Sequence, residues 1–196
     1  MSQLEDWLTN PEYPDSLGDH AKVILLHSHL SIAKQTKVFE NAPDGQRKII
    51  LSTNIAETSV TIPDVKYVID SGKINMKKYL PVQKASNLDK EWISKSSAVQ
   101  RRGRAGRVQN GKVWRMYSRK KFDDDFTEFM DPEINRLPLE EIVLNIKALH
   151  LEAASDIRSF MDYLVEPPTK YMVDLALVRN YTIYLVFIFN IFIISL

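Results

Sequence analysis

The chain has 196 residues, of which 26% are charged and 44% are hydrophobic. This mixture is typical of a folded globular protein, with room for one ordinary domain and part of a second. The formal net charge of +1 excludes a global basic field as the means of attracting nucleic acid. No cysteine is present, which excludes disulfides and thiolate metal sites.

The amino-terminal segment is acidic. The first twenty residues carry five acidic side chains and no Lys or Arg, and they lack the apolar stretch of a secretory signal peptide. Together with the absence of cysteine, this composition predicts an intracellular protein, either cytoplasmic or nuclear.

Four short apolar runs predict buried strands of an α/β sheet. They are Val23–Leu26, Lys48–Leu51, Val65–Ile69 and Val113–Tyr117. Between the first two, Ser31–Glu40 is predicted to be a short helix that ends before Pro43. A strand, a helix and a strand with short connections indicate parallel strands joined by helical crossovers.

The second half of the chain changes character. Ile74–Tyr79 and Leu88–Ile93 are predicted to pair as a hairpin. Beyond Asp131-Pro132, apolar residues between Leu139 and Leu149 recur at helical spacing. Two further helices are expected at Ala154–Val165 and Thr169–Arg179. We therefore place a boundary near residue 126, between an α/β domain and a helical segment.

The last sixteen residues, 181–196, are apolar and uncharged. A membrane helix generally needs about 18 or more such residues, so this tail is marginal as an anchor. The sequence therefore predicts no membrane partner, unless the tail is an anchor.

Basic side chains are concentrated in residues 95–121, which hold ten Lys or Arg residues and no acid. At the centre lies QRRGRAGR, residues 100–107. On a helix, Arg104 and Arg107 would share one face and converge on one phosphate group, with Gln100 one turn earlier. Two alternatives remain open: an exposed basic helix, and a helix cap formed by Ser97 and Gln100.

Two other segments suggest phosphate binding. Residues 106–112 satisfy the pattern G-x-x-x-x-G-K, but Val113 has no hydroxyl for magnesium and the segment precedes a strand, which excludes a P-loop. Ser52–Ser59, STNIAETS, directly follows a predicted strand, where α/β sheets bind ligands. Its alternative interpretation is a helix cap in which Asn54 pairs with Glu57.

Three segments together resemble motifs IV, V and VI of the DEAH-box RNA helicases. They are HisSer at 27–28, STNIAETS at 52–59 and QRRGRAGR at 100–107. Their order and spacing agree with the family, and residues 132–140 resemble its entry into the winged-helix region. The resemblance covers roughly residues 20–175.

The resemblance implies a domain organisation. Residues 1–125 would be the second RecA-like domain, with a parallel sheet, helices on both faces and no first strand. Residues 126–180 would be a partial winged-helix region, and 181–196 a tail of uncertain status. ATP with Mg²⁺ would lie in the cleft between two RecA-like domains and be held mainly by the first, which carries the P-loop and the DEAH box.

The resemblance also implies roles for individual residues. Arg104 and Arg107 would be arginine fingers for the γ-phosphate, and Gln100 would position the attacking water. Phe39 would stack on the adenine, with a core helix residue as its alternative. Thr61 lies in the nucleotide-sensing part of motif V; an acid that relatives carry directly after Ile62 is replaced here by Pro63 followed by Asp64. The RNA backbone would contact His27, Ser28, Thr53 and Asn54.

Two function hypotheses follow. In the first, the chain is the motor half of an ATP-dependent RNA helicase that is inactive without the first domain. In the second, it is a non-catalytic module that binds RNA or a helicase partner. No metal site is predicted, because His27 and His29 lack a third nearby ligand.

Overall fold

The structure, a computed structural model, describes the chain apart from Ser59, Val82, Lys84 and residues 150–155 and 195–196. It forms two compact units: residues 1–74 with 91–130, and residues 75–90 with 131–196. Most of the predicted hairpin therefore belongs to the second unit, and the first unit ends at Met130 instead of residue 125. The assignment of residues to family domains remains a prediction.

The described part of the chain contains six strands and eight α-helices. The strands are β1 (Ala21–Leu26), β2 (Arg47–Ser52), β3 (Tyr67–Asp70), β4 (Lys73–Leu80), β5 (Ala85–Trp92) and β6 (Lys112–Arg115). The helices are α1 (Ser2–Thr9), α2 (Ile32–Gln35), α3 (Ile55–Thr58), α4 (Lys95–Arg102), α5 (Arg119–Asp125), α6 (Glu140–Ala148), α7 (Ile157–Asp162) and α8 (Lys170–Ile194).

The predicted strands of the first unit form two parallel pairs. β1 pairs with β2 in a register that runs from Ala21 opposite Arg47 to Leu26 opposite Ser52. β3 pairs with β6, with Ile69 opposite Trp114. Buried Ile24, Leu26, Val38 and Ile62 form a core beside the first pair. The predicted parallel α/β arrangement is confirmed, although β3 begins two residues later than expected and β6 ends at Arg115.

The helix predicted at Ser31–Glu40 is interrupted. α2 covers Ile32–Gln35, and a 3₁₀ turn follows at Thr36–Phe39. The hydroxyl of Thr36 donates to the carbonyl oxygen of Ala33 at 3.0 Å, a local bond that competes with regular helix formation.

A tight turn after β3 adjoins an aromatic cluster in the first unit. Gly72 has a φ of +69°, and a Cβ there would lie 2.5 Å from the Tyr117 ring, so only glycine fits. Tyr117 packs with Trp92, Phe122 and Phe126.

The second unit contains the predicted hairpin and three helices. β4 and β5 pair, and only four residues join them, a connection that closes antiparallel strands but not parallel ones. The core of this unit is supplied by α6, α7, α8 and Leu139. Its buried residues are Leu139, Val143, Ile157, Met161, Val173, Ala176 and Leu177.

The last two predicted helices differ in their bounds. The predicted start at Ala154 lies outside the described residues; α7 begins at Ile157, where the side chain of Asp156 accepts a hydrogen bond from the amide of Arg158. α8 continues past Arg179 to Ile194. Among the described residues, no helix is long and apolar enough to span a membrane.

Candidate phosphate and RNA site

α4 ends inside the arginine run. The helix begins at Lys95, and its cap is Ser94, whose Oγ accepts from the amide of Ser97 at 3.1 Å. The alternative cap formed by Ser97 and Gln100 is therefore wrong. Because the helix ends at Arg102, where Gly103 follows, Arg104 and Arg107 lie in turns. The expectation that they share a helix face with Gln100 is also wrong, since glycine is a poor helix former.

Arg101 joins two acidic side chains inside the first unit. Its Nε donates to Oε2 of Glu57 at 3.0 Å, and its Nη1 donates to Oδ1 of Asp70 at 2.9 Å. Both nitrogens of its fork also lie 3.3 Å from the carbonyl oxygen of Lys73. The Asp70 side chain is 1% exposed, so this paired charge is buried. Glu57 thus serves as an ion-pair partner of Arg101.

Asp70 is held by two further groups. Its Oδ1 accepts from the amide of Gly72 at 2.9 Å, and its Oδ2 accepts from the Tyr117 hydroxyl at 3.0 Å. Burial, together with the charge of Asp70 and the hydrogen bond to it, raises the pKa of Tyr117 to about 12. The ends of β3, α4 and β6 are therefore tied to one carboxylate.

Arg104 turns toward its own unit. Its Nη1 donates to the carbonyl oxygen of Val60 at 3.1 Å, and its Nη2 donates to that of Glu57. Its Nε is buried and has no partner within the described structure. Burial lowers the pKa of Arg104, and the positive charge of Arg107 lowers it further. The guanidinium therefore connects the arginine run to the segment that follows β2.

The other two catalytic candidates face solvent. Gln100 and Arg107 are both exposed. Within the described part of the chain, no hydrogen bond or ion pair engages either side chain. Of the three, only Arg104 is committed to intramolecular contacts.

The cofactor candidates lie on separate elements. Phe39 ends the 3₁₀ turn after α2 and is 52% exposed, so its alternative role as a core residue is wrong. Thr61 is exposed. Asp64 forms an ion pair with Lys48 of β2, with 2.9 Å between Oδ2 and Nζ.

The RNA candidates lie together at the carboxyl ends of β1 and β2. Leu26 and Ser52 are opposite each other at the end of the ladder. The amide of Thr53 donates to the carbonyl oxygen of Leu26 at 3.1 Å. His27 and Ser28 therefore leave the sheet beside Thr53 and Asn54, and the last three of these residues are exposed.

His27 and His29 are near neighbours, with ring centroids 6.0 Å apart. Among the residues that the structure describes, no group of three or more His, Cys, Asp or Glu side chains could hold a metal ion.

Sequence reasoning missed the roles of Arg101, Asp70 and Arg102. Asp70 directly follows the predicted strand Val65–Ile69, and an acid that ends a buried strand signals a need for a cationic partner. The side chain of Arg102, unlike that of Arg101, points to solvent; nothing in the spacing distinguishes these two neighbours.

The sequence matches the family described as helicase conserved C-terminal domain over residues 3–109. It is 43% identical over 177 residues to the ATP-dependent RNA helicase DHX29 of Homo sapiens, covering 90% of this chain and 12% of that protein. It is 44% identical over 177 residues to the probable ATP-dependent RNA helicase DHX34 of Mus musculus, covering 90% of this chain and 15% of that protein.

A plant protein is similar over a shorter range. The DExH-box ATP-dependent RNA helicase DExH4, chloroplastic, of Arabidopsis thaliana is 44% identical over 152 residues, which cover 78% of this chain and 10% of that protein. The chain thus spans only a small part of the length of the relatives it matches.

Proposed function

Because this chain belongs to the family of DExH/DEAH-box ATP-dependent RNA helicases, we propose that it works as the second RecA-like domain of such an enzyme. The observation that carries the proposal is the contact between two motifs: Arg104 of the arginine run donates to the carbonyl oxygens of Glu57 and Val60, in the segment after β2. A contact of this kind joins a phosphate-binding element to an RNA-binding one.

The RNA side of the function rests on the carboxyl ends of β1 and β2. Here the exposed Ser28, Thr53 and Asn54 lie beside His27. Hydroxyl, amide and imidazole groups at such an edge donate to phosphate oxygens without distinguishing bases. We therefore expect binding that depends little on RNA sequence.

The phosphate side rests on the arginines. Hydrolysis of ATP transfers the γ-phosphoryl group to water. The negative charge of this group must be neutralised in the transition state, and arginine side chains can do this. Arg107 is exposed and reaches a phosphate without breaking an internal bond, whereas Arg104 exchanges its two carbonyl partners for phosphate oxygens. Gln100 orients the water. Phe39 stacks on the adenine, while Thr61 and Asp64 face the rest of the nucleotide.

A P-loop in a strand-to-helix context is absent from these 196 residues. We therefore assign the main grip on ATP and Mg²⁺ to a first RecA-like domain that acts together with this chain. We place the activity inside the cell, in the cytoplasm or the nucleus.

The test joins the chain to a first RecA-like domain that carries a P-loop and measures ATP hydrolysis with and without single-stranded RNA. We expect RNA to stimulate hydrolysis. Arg107→Ala and Arg104→Ala should each lower kcat by about 10³-fold or more, which is typical of an arginine finger. Wild-type turnover in either variant would exclude that residue as a finger.

Arg119→Ala is the matched control. Arg119 belongs to the same unit and the same basic region, but its Nε is 3.0 Å from Oδ2 of Asp123 on an exposed helix face. Its loss should leave turnover unchanged. A fall like that of Arg107→Ala would show that the assay senses general positive charge.

A non-catalytic RNA- or helicase-binding module is the second candidate. It is favoured by the bonds of Arg104 to carbonyl oxygens of its own unit, which suit a structural role. RNA binding by the fusion without any ATP hydrolysis, while a matched intact helicase is active, would support this alternative.

A further inference from the structure

The end of α4 divides the four arginines into two pairs. Arg101 and Arg104 turn inward, to carboxylates and to backbone carbonyl oxygens respectively. Arg102 and Arg107 are exposed, and within the described part of the chain neither side chain has a hydrogen bond or an ion pair. Each inward arginine is thus bonded within its own unit in this structure, whereas each outward one can bind a ligand without first breaking such a bond.

The two outward arginines line one open pocket. The pocket has a volume of about 420 Å³, and its wall consists of Arg102, residues 105–111 (which include Arg107) and Val113. No acidic residue contributes to the wall. A Cβ on Gly106 would meet nothing within 4 Å, so the pocket has free space next to the backbone.

The backbone of this pocket also offers donors. Within the described structure, no short, well-aligned hydrogen bond joins the amides of residues 106–111 to a backbone carbonyl oxygen. Successive free amides beside guanidinium groups form a concavity suited to an anion. Two guanidinium groups without an acid favour a ligand with at least two negative charges, because a single carboxylate would leave one cation uncompensated.

We propose that Arg102 and Arg107 together form a binding site for phosphate groups, with Arg102 as a ligand that the family resemblance does not assign. The inference deepens the proposed function, since it rests on Arg107 as a phosphate contact. It adds that the phosphate chain extends along the backbone of residues 106–111 toward Arg102. The phosphates come either from a nucleoside triphosphate or from an RNA backbone.

The test measures binding by the full chain, using isothermal titration with inorganic triphosphate, ATP and a short single-stranded RNA in separate arms. Arg102→Gln should weaken the affinity for the ligand that supplies the phosphates, nucleotide or RNA, by about tenfold, as expected for one charge-assisted contact. The affinity of Arg102→Lys should lie between those of wild type and Arg102→Gln, because lysine keeps the positive charge but lacks the planar guanidinium. Arg119→Gln should stay within about twofold of wild type.

The arms identify the source of the phosphates. If Arg102→Gln weakens the binding of triphosphate and ATP but not of RNA, the phosphates belong to a nucleotide. If it weakens the binding of RNA alone, they belong to the RNA backbone. Because Arg102 has no side-chain partner within the described structure, its variants should keep the wild-type circular dichroism spectrum and melting temperature.

Two results would overturn the inference. One is wild-type affinity of Arg102→Gln for all three ligands, and the other is no measurable binding of any of them by the wild-type chain. Neither outcome decides the proposed function, because RNA-stimulated ATP hydrolysis by the fused domains and its loss in Arg107→Ala are measured separately.

Discussion

The four arginines between positions 101 and 107 have different environments in this protein. Arg101 lies between two carboxylates, and one of these, Asp70, is almost completely buried. Removing one partner from a buried pair leaves an uncompensated charge, which is strongly destabilising. Arg101 and Asp70 are therefore expected to tolerate substitution less well than the exposed Arg102.

Tyr117→Phe tests the other partner of Asp70. The substitution removes the hydroxyl that donates to Oδ2, so we expect the free energy of unfolding at pH 8 to fall by about 1–3 kcal/mol. The pKa of Tyr117 is raised from 10.0 to about 12 in the folded protein. The stabilising contribution is thus complete below pH 10 and is lost as the pH rises toward 12.

The difference in the free energy of unfolding between wild type and Tyr117→Phe should accordingly shrink between pH 10 and 12. Urea unfolding at several pH values measures it. Tyr163→Phe is the control, since Tyr163 is 89% exposed. This substitution should change the free energy of unfolding little at any pH. A constant difference between wild type and Tyr117→Phe across this range would contradict the shifted pKa.

At the scale of elements, the segment between α4 and β6 depends on a close backbone contact. A Cβ at Gly111 would lie 1.9 Å from the carbonyl oxygen of Ala105 and 2.8 Å from that of Lys66. The next amide, of Lys112, donates to the carbonyl oxygen of Lys66 at 3.0 Å, at the start of the pairing between β3 and β6. Gly111 therefore allows the arginine segment to lie against the beginning of the strand pair.

Gly111→Ala should lower the free energy of unfolding by about 1–3 kcal/mol or more, because backbone atoms cannot move aside as a flexible side chain can. Gly106→Ala in the same segment has open space around its Cβ and should change stability by less than about 0.5 kcal/mol. Chemical denaturation of both variants compares them directly. Equal losses would show that the segment is more adaptable than these contacts imply.

At the scale of the whole molecule, the two compact units have separate hydrophobic cores. Leu26 is 0% exposed in the core of the first, and Leu139 is 1% exposed in the core of the second. Each core buries side chains from its own unit only. The stability of the chain is therefore better described by two local values than by one.

Leu26→Ala and Leu139→Ala should each destabilise their own unit by about 2–5 kcal/mol, the usual cost of a core cavity. Hydrogen exchange measured by mass spectrometry should show faster exchange in residues 21–52 for the first variant and in residues 139–148 for the second. Faster exchange throughout the chain in either variant would show that the units unfold together.

The elements that the sequence predicted well are those defined by apolar periodicity. Val23–Leu26 and Lys48–Leu51 lie inside the observed strands, and the predicted hairpin agrees with β4 and β5 apart from Ile93, which follows β5. Short apolar runs bounded by polar or turn residues favour buried strands of this length. The observed end of α4 depends on Gly103, and the orientations of the arginines depend on Glu57 and Asp70, which are distant in the chain. Such partners are visible only in three dimensions, so spacing alone placed Arg104 and Arg107 on one helix face incorrectly.

The separation of the first unit's strands into two pairs has a consequence for handling the protein. Within the described structure, β2 pairs only with β1 and β3 pairs only with β6, so each of these two strands has one edge without a strand partner. Such edges add strands from neighbouring molecules. Concentrated samples should therefore tend to self-associate through intermolecular β-ladders, and a peptide that occupies one of these edges would act as a solubilising agent.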